Sequence, residues 1–326
     1  GGAQRVLPHL YHFGANSFLL LSERGEGLVI DPQRPDIELL AQLMEHLGVE
    51  RISAATASHY HSDHSDGLNY VRTRWGAAVW LHPWVAEPIR DRDRLEVPWL
   101  PAESIEPDRL LPVEGRFRWN EYAFSIRPFP GQTWWHCAFD AEVDGEHVLF
   151  SGDNFQPPSR WNGTGGFCAF NGSRFAEGFA RSAQAVLDIA PSLICNGHGC
   201  IYPFSADQYR RIVRWAAKSE ESVRALCPTD DWLSAYDPRA LRLVPFVQRA
   251  RPGQLLEVTA VLTNTSARPV RIALSPIGPT GWKLRAVRGN VRLKSGATRR
   301  VRIALSLPGT AAAGRHLCGI DVEIDG

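Results

Sequence analysis

Apolar and polar positions follow two different textures along this chain. In the first, the runs SFLLL and GLVI flank the polar turn ERGEG, which predicts a hairpin with Asp31 at the end of a buried strand. DIELLAQLMEHLG then carries apolar residues at helical spacing and ends at Gly48, which predicts a helix. ISAATASH predicts a short strand, GLNYVRTRWG a helix closed by Gly76, and AAVWLHP another strand. Residues 86–115 are rich in proline and charge and predict a surface excursion. YAFSIRPFPG and HVLFSGDN are strand-like and end in loops, RFAEGFARSAQAVLDIAP is helical, LICNGHG is a strand ending at His198, and SADQYRRIVRWAAKSEESVRALC is a long amphipathic helix. Strands that alternate with helices imply sheets covered by helices.

The second texture begins near Val244. QLLEVTAVLTN, VRIALS, RRVRIALSLP and HLCGIDVEID alternate apolar with polar residues, and Gly, Pro, Asn and Ser separate them. Helical spacing disappears, which predicts a small all-β sandwich. The expected division is residues 1–245 and 246–326. A chain of 326 residues exceeds the size at which one core usually suffices.

Composition narrows the classes. A net charge of +1 supplies no bulk field toward nucleic acid or an anionic membrane, so neither is expected as a partner. No apolar run is long enough to span a bilayer. The six cysteines are dispersed and form no C-x-x-C pair, which argues against a structural zinc knuckle and for reduced thiols. A cytoplasmic location is the corresponding expectation. The chain starts GGAQRVLPHL, without Met, as an expression scar or a fragment would.

Chemistry concentrates in ATASHYHSDHSDG, where His59, His61, Asp63, His64 and Asp66 crowd into a few residues after a strand. Crowded histidines repel once protonated, so a metal site explains them better than a core does. His59 and His61 can converge on one ion, and Asp63 and His64 on a second. Imidazole nitrogen with carboxylate oxygen is a donor mix that zinc, iron and manganese all accept.

The pattern H-x-H-x-D-H resembles the signature of the metallo-β-lactamase superfamily. That resemblance implies an αββα sandwich, an α/β (α+β) fold, with a dinuclear site at the sheet edges. It implies that Asp31 in LVIDP is structural, that Asp153 in LFSGDN bridges two metals, and that His198 in ICNGHG is the last ligand. One motif departs from the family. FPGQTWWHCAF has Gln132 where P-G-H-T would supply a histidine. The expectation is that His136, four residues on, completes the first site with His59 and His61, while Asp63, His64 and His198 hold the second. The alternative is a weakened first site at Gln132. Asp66 would fix a ligand imidazole or cap the following helix.

Two divalent cations, zinc first and iron or manganese otherwise, would share a water and lower its pKa, and Asp63 would orient it. The resemblance thus implies a metal-dependent hydrolase of ester-type bonds in a small molecule: thioester, lactone, phosphodiester or sulfate ester. The bridging Asp153 speaks against a dedicated β-lactamase. Trp134, Trp135, Arg160 and Trp161 are the expected substrate wall. The competing reading is a non-catalytic binding protein with a degenerate site. Residues 246–326 resemble immunoglobulin-like or fibronectin-like modules. Such a module would dock on the enzyme, mediate self-association or contact a polymer.

Overall fold

The computed structural model describes residues 2–157, 175–226, 240–286 and 290–326. It divides into two compact units, Gly1–Arg92 with Val97–Ala225, and Asp93–Glu96 with Leu226–Gly326. The expected substrate residues Arg160 and Trp161 lie outside the described residues.

The first unit holds two sheets. The larger runs in the order β1 (Ala3–Leu7), β2 (Leu10–Phe13), β3 (Ser17–Leu21), β4 (Glu26–Ile30), β5 (Arg51–Thr56), β6 (Ala78–Leu81) and β7 (Arg109–Leu110). Strands β1 to β4 form an antiparallel meander, and β4 to β7 pair in parallel. Parallel pairing requires crossovers, and two are helices: α1 (Ile37–Leu47) leads to β5 and α3 (Leu68–Trp75) to β6. The other sheet has the order β13 (Ile201–Pro203), β12 (Leu193–Asn196), β11 (Glu146–Gly152), β10 (Cys137–Val143), β9 (Tyr122–Pro128) and β8 (Gly115–Trp119). On it pack α5 (Arg181–Ile189) and α6 (Ala206–Leu226), which bury Ala183, Val186, Tyr209 and Ile212 with Leu149 and Ile194.

The sheets face each other through apolar and aromatic contacts. Phe18 on β3 meets Phe150 on β11 edge to face at 5.5 Å. At the rim, the Trp119 indole N–H donates to Ser53 Oγ at 2.9 Å and the Tyr122 hydroxyl to Leu21 O at 2.8 Å. This is the expected αββα layering.

Three local expectations change. The excursion from residue 86 begins inside a helix, α4 (Pro83–Arg90). Proline marks breaks in sequence reading, but Pro83 sits in the first turn, where its missing N–H costs nothing, and the ring of His82 accepts from Trp84 N at 3.1 Å. The helix expected to start at RFAEG is interrupted, because Gly178 is non-helical and a π-helical turn over Phe175–Ala180 precedes α5. Asp66 takes neither expected role. Gly67 is the N-cap of α3, and the Asp66 carboxylate is engaged elsewhere, with Oδ1 accepting from Ala102 N at 2.8 Å.

The second unit is all β. One sheet has the order β14 (Leu241–Val244), β15 (Leu255–Thr263), β19 (Thr298–Ser306), β17 (Lys283–Ala286), and the other β18 (Asn290–Leu293), β16 (Val270–Ile277), β20 (Gly319–Ile324). All its pairings are antiparallel. Alternate residues Ala260, Leu262, Val270, Ile272, Leu274, Val301, Ile303 and Leu305 turn inward to one core. Leu241–Val244 precedes the expected division but pairs with β15.

Phe150 is 1% exposed and clamps the two sheets of the first unit. Phe150→Ala is expected to cost about 3–5 kcal/mol, read as a fall in the chemical-denaturation midpoint with unchanged slope.

Candidate metal centre

Side chains from the ends of strands in both sheets gather at one rim. Asp31 follows β4, Ser58 and His59 follow β5, His61 is the N-cap of α2 (Ser62–Ser65), and Asp63 and His64 lie in that short helix. Asp153 follows β11 and His198 follows β12. The sheets are tied together at this point. His59 and His136 form an antiparallel β-bridge, and Cys137 N donates to Ser58 O at 2.8 Å.

Two donor groups result: Asp63, His64, Asp153 and His198 in one, and His59, His61 and Asp153 in the other. Asp153 belongs to both. Its Oδ2 lies 3.0 Å from His198 Nε2 and 3.9 Å from His59 Nε2, and its Oδ1 lies 3.2 Å from His64 Nε2. His59 Nε2 and His61 Nδ1 are 3.0 Å apart.

Groups behind the rings set which nitrogen faces inward. Asp31 accepts from Ser58 N at 2.5 Å, from Ser58 Oγ at 2.7 Å and from His64 Nδ1 at 3.1 Å. The Ser58 hydroxyl, having donated to Asp31, accepts from His59 Nδ1 at 3.1 Å. Both rings therefore present Nε2 lone pairs to the centre.

The chemistry of this set fits dications. His64 Nε2 and Asp153 Oδ1 are buried and make no hydrogen bond. Lone pairs that close repel unless positive charge stands with them. The glycine at 197 keeps the space open: a Cβ there would lie 2.2 Å from Asp153 Oδ1 and 2.8 Å from His64 Cε1. The electrostatics agree. Burial disfavours a charged His64, but the carboxylates of Asp153 and Asp31 outweigh it and raise its pKa well above the usual value. The hydrogen bond to Asp153 raises His198. Burial opposes ionisation of Asp153, yet the charge of His64 and the His198 hydrogen bond hold it well below the ordinary carboxylate range.

His136 departs from the expectation. It stands outside both donor groups. Its ring stacks on the His59 ring at 4.8 Å and 8°, and its Nε2 accepts from Asp153 N at 3.4 Å. The backbone bridge to His59 fixes it behind that ring, and burial lowers its pKa to about 3, so it stays neutral. The Gln132 amide approaches the centre instead, with Nε2 donating to Asp153 Oδ2 at 3.1 Å.

A family model of the metallo-β-lactamase superfamily matches residues 10–226. The chain belongs to this superfamily. A second model, the NPCBM-associated NEW3 domain of α-galactosidase, matches residues 250–324. A curated relative, hydroxyacylglutathione hydrolase of Albidiferax ferrireducens, is 26% identical over 144 residues, 43% of this chain and 48% of that protein. The chain thus spans about half the length of that relative. Among solved structures, the HARLDQ-motif metallo-β-lactamase of Cronobacter sakazakii superposes with TM-score 0.55 at 16% identity, covering 69% of this chain and 95% of that one. A B3 metallo-β-lactamase with an active-site glutamic acid gives 0.54 at 18%, covering 68% and 92%. These structural likenesses concern the fold.

The surroundings revise the expected aromatic wall. Trp135 is 3% exposed, and its indole donates to Glu87 Oε2 at 2.9 Å, so it is a packing residue. Trp134 is half-buried and stacks on Trp84 at 4.8 Å. Trp99 is 52% exposed, 5.1 Å from the His61 ring, and held there by Ser62 N donating to Trp99 O at 2.8 Å. Sequence reasoning passed over Trp99 and Asn16, because nothing in VPWLP or GANS marks proximity to the motif, and over Ser58, which adjoins His59 but whose bonds to Asp31 and His59 no spacing reveals. Among the described residues, no helix is long and apolar enough to cross a membrane, and Cys137, Cys195, Cys200 and Cys318 are free thiols.

Gly197→Ala is expected to abolish tight binding at the four-residue group while the cooperative melt persists, read by metal counting beside calorimetry. His64 and His198, with raised pKa values, hold protons more tightly than free imidazole. Protons therefore compete with metal: apparent affinity should weaken as pH falls, and binding should release protons, measured by calorimetry in buffers of differing ionisation enthalpy.

Proposed function

We propose that this chain is a dinuclear metallohydrolase that cleaves an ester-type bond, a thioester first among the candidates, in a small molecule. The observation that carries the reading is Asp153, one buried carboxylate that belongs to both donor groups, with Oδ1 beside His64 and Oδ2 beside His198 and 3.9 Å from His59. The relative named hydroxyacylglutathione hydrolase lends support to hydrolysis of an acylated thiol. Residues 1–245 would form the hydrolase domain and 246–326 an accessory module.

His59, His61 and Asp153 would hold one ion, and Asp63, His64, His198 and Asp153 the other. Two dications held there would supply Lewis acidity and a water of lowered pKa. Asp63, with a side chain 42% exposed, would accept a hydrogen bond from the attacking water and orient it toward the electrophile. Ser58 and Asp31 keep the rings in the tautomers that face inward. Zinc is the first candidate metal.

The donor sets are unequal. The His59–His61 group has a neutral amide, Gln132, at the family's usual histidine position, and His136 lies behind the ring of His59. A second reading therefore has a specific basis: a protein that binds metal or ligand at a half-strength centre without turnover. The two readings separate in one experiment, a zinc titration followed by chromogenic thioester, lactone, phosphodiester, sulfate ester and β-lactam substrates. Two ions with affinities about tenfold or more apart, and thioester turnover lost in His59→Ala, support hydrolysis. Two ions without turnover of any substrate support the binding protein. Gln132→His is expected to narrow the gap between the two affinities, because imidazole is the better zinc donor.

A further inference from the structure

The turn between β2 and β3 reaches into the centre through Asn16, which is fully buried. Asn16 Nδ2 donates to Asp63 O at 3.0 Å and to Asp63 Oδ2 at 3.1 Å. Asn16 Oδ1 accepts from His198 N at 2.8 Å. One side-chain amide thus joins the motif turn to the loop after β12, two segments far apart in the chain.

These are the two members of the four-residue group that packing leaves loose. His64 and Asp153 have side chains 0% and 4% exposed, whereas those of Asp63 and His198 are 42% and 46% exposed. An exposed carboxylate rotates freely into water, and His198 has a left-handed backbone, φ 56°, that a loop does not hold unaided. Asn16 restrains both.

The turn that carries Asn16 is itself anchored from outside the centre. Gly14 has φ +65°, and a Cβ there would lie 2.1 Å from Asp36 Cγ, so only glycine lets the turn close on that carboxylate. Asp36 accepts from Ala15 N at 3.1 Å and from the Gln33 amide. His12 Nε2 donates to Ala15 O at 3.2 Å, and Ser17 Oγ donates to Asp31 O at 2.8 Å.

We propose that Asn16 is a positioning residue for the four-residue metal group: it fixes the Asp63 carboxylate and the His198 loop in register, and so sets the affinity of that group over the His59–His61 group. This deepens the metallohydrolase reading and rests on it. Asn16 touches no substrate; it acts through Asp63 and His198.

The test uses the full chain and cobalt(II) alone, followed by equilibrium dialysis and by visible absorption, which reports the geometry around each ion. Asn16→Asp keeps the size of the side chain and the acceptor for His198 N, but replaces the N–H donor with a carboxylate facing Asp63. Asn16→Asp and Asn16→Ala are both expected to weaken cobalt at the four-residue group about 10- to 100-fold, and to change its absorption, while cobalt still binds the His59–His61 group. In a double-mutant cycle, Asn16→Ala should cost less in the Asp63→Ala background than in the wild type, because only its restraint on His198 is then left to lose. Wild-type affinity in both Asn16 variants, or strictly additive losses in the cycle, overturns the proposal. If the variants fail to fold, wild-type protein decides by magnetic resonance with zinc. The Asn16 side-chain amide signals should shift when the four-residue group fills, and unchanged signals overturn the proposal. Wild-type protein that binds neither cobalt nor zinc is a different result, since it removes the metal reading itself.

Discussion

The rim of the first unit is organised by one buried carboxylate. Asp153 is 3% exposed and ionised, in a place where a lone charge would cost several kcal/mol. It is stabilised by imidazoles from two segments, His59 and His64 of the motif and His198 after β12, and the first two rings are fixed from behind. The Asp31–Ser58–His59 and Asp31–His64 chains of hydrogen bonds leave only lone pairs pointing at Asp153. A set of acceptors aimed at an acceptor is stable only with positive charge among them. Protons would supply that charge, in keeping with the raised pKa of His64, and so would dications.

The fold makes that convergence possible because two sheets end at the same rim. Strands β4 and β5 deliver Asp31, Ser58 and His59 from one sheet, and β11 and β12 deliver Asp153 and His198 from the other. Strand ends are rigid and the loops beyond them short, so the two sheets deliver the donors to one rim. The His59–His136 bridge closes the seam between the sheets. His136 is thus a structural histidine whose ring supports His59 by stacking.

How legible this was depended on how local each interaction is. The motif His59–Asp66 lies within one turn, so its spacing carried the chemistry by itself. Asp153 and His198 became legible through the family resemblance, because strand-end residues keep their order along the chain. His136 was misplaced because a linear reading sees nearness to Gln132 but not the backbone pairing that turns the ring behind His59. Asn16 carried no signal at all, since its contacts are separated by 47 and 182 residues. The helix at Pro83–Arg90 was hidden by its prolines, which read as breaks although one of them starts the helix. The sandwich strands, by contrast, showed themselves through alternation, since each has one face to the core and one to water.

The exchange of histidine for Gln132 redistributes the charge of Asp153 between the two donor groups. Oδ2 is engaged by the Gln132 amide and by His198, whereas buried Oδ1 has the His64 ring alone beside it, at 3.2 Å. The less engaged oxygen is therefore the one in the four-residue group. That group also has a second carboxylate, Asp63. The His59–His61 group has no carboxylate of its own and shares the oxygen already engaged. Its nitrogens are nonetheless preset 3.0 Å apart by Ser58 and by the stacked ring of His136, so an ion entering there meets little cost of ordering. On the proposed reading the centre would be graded by charge and not by disorder: one group stronger because it concentrates carboxylate, the other weaker but prepared.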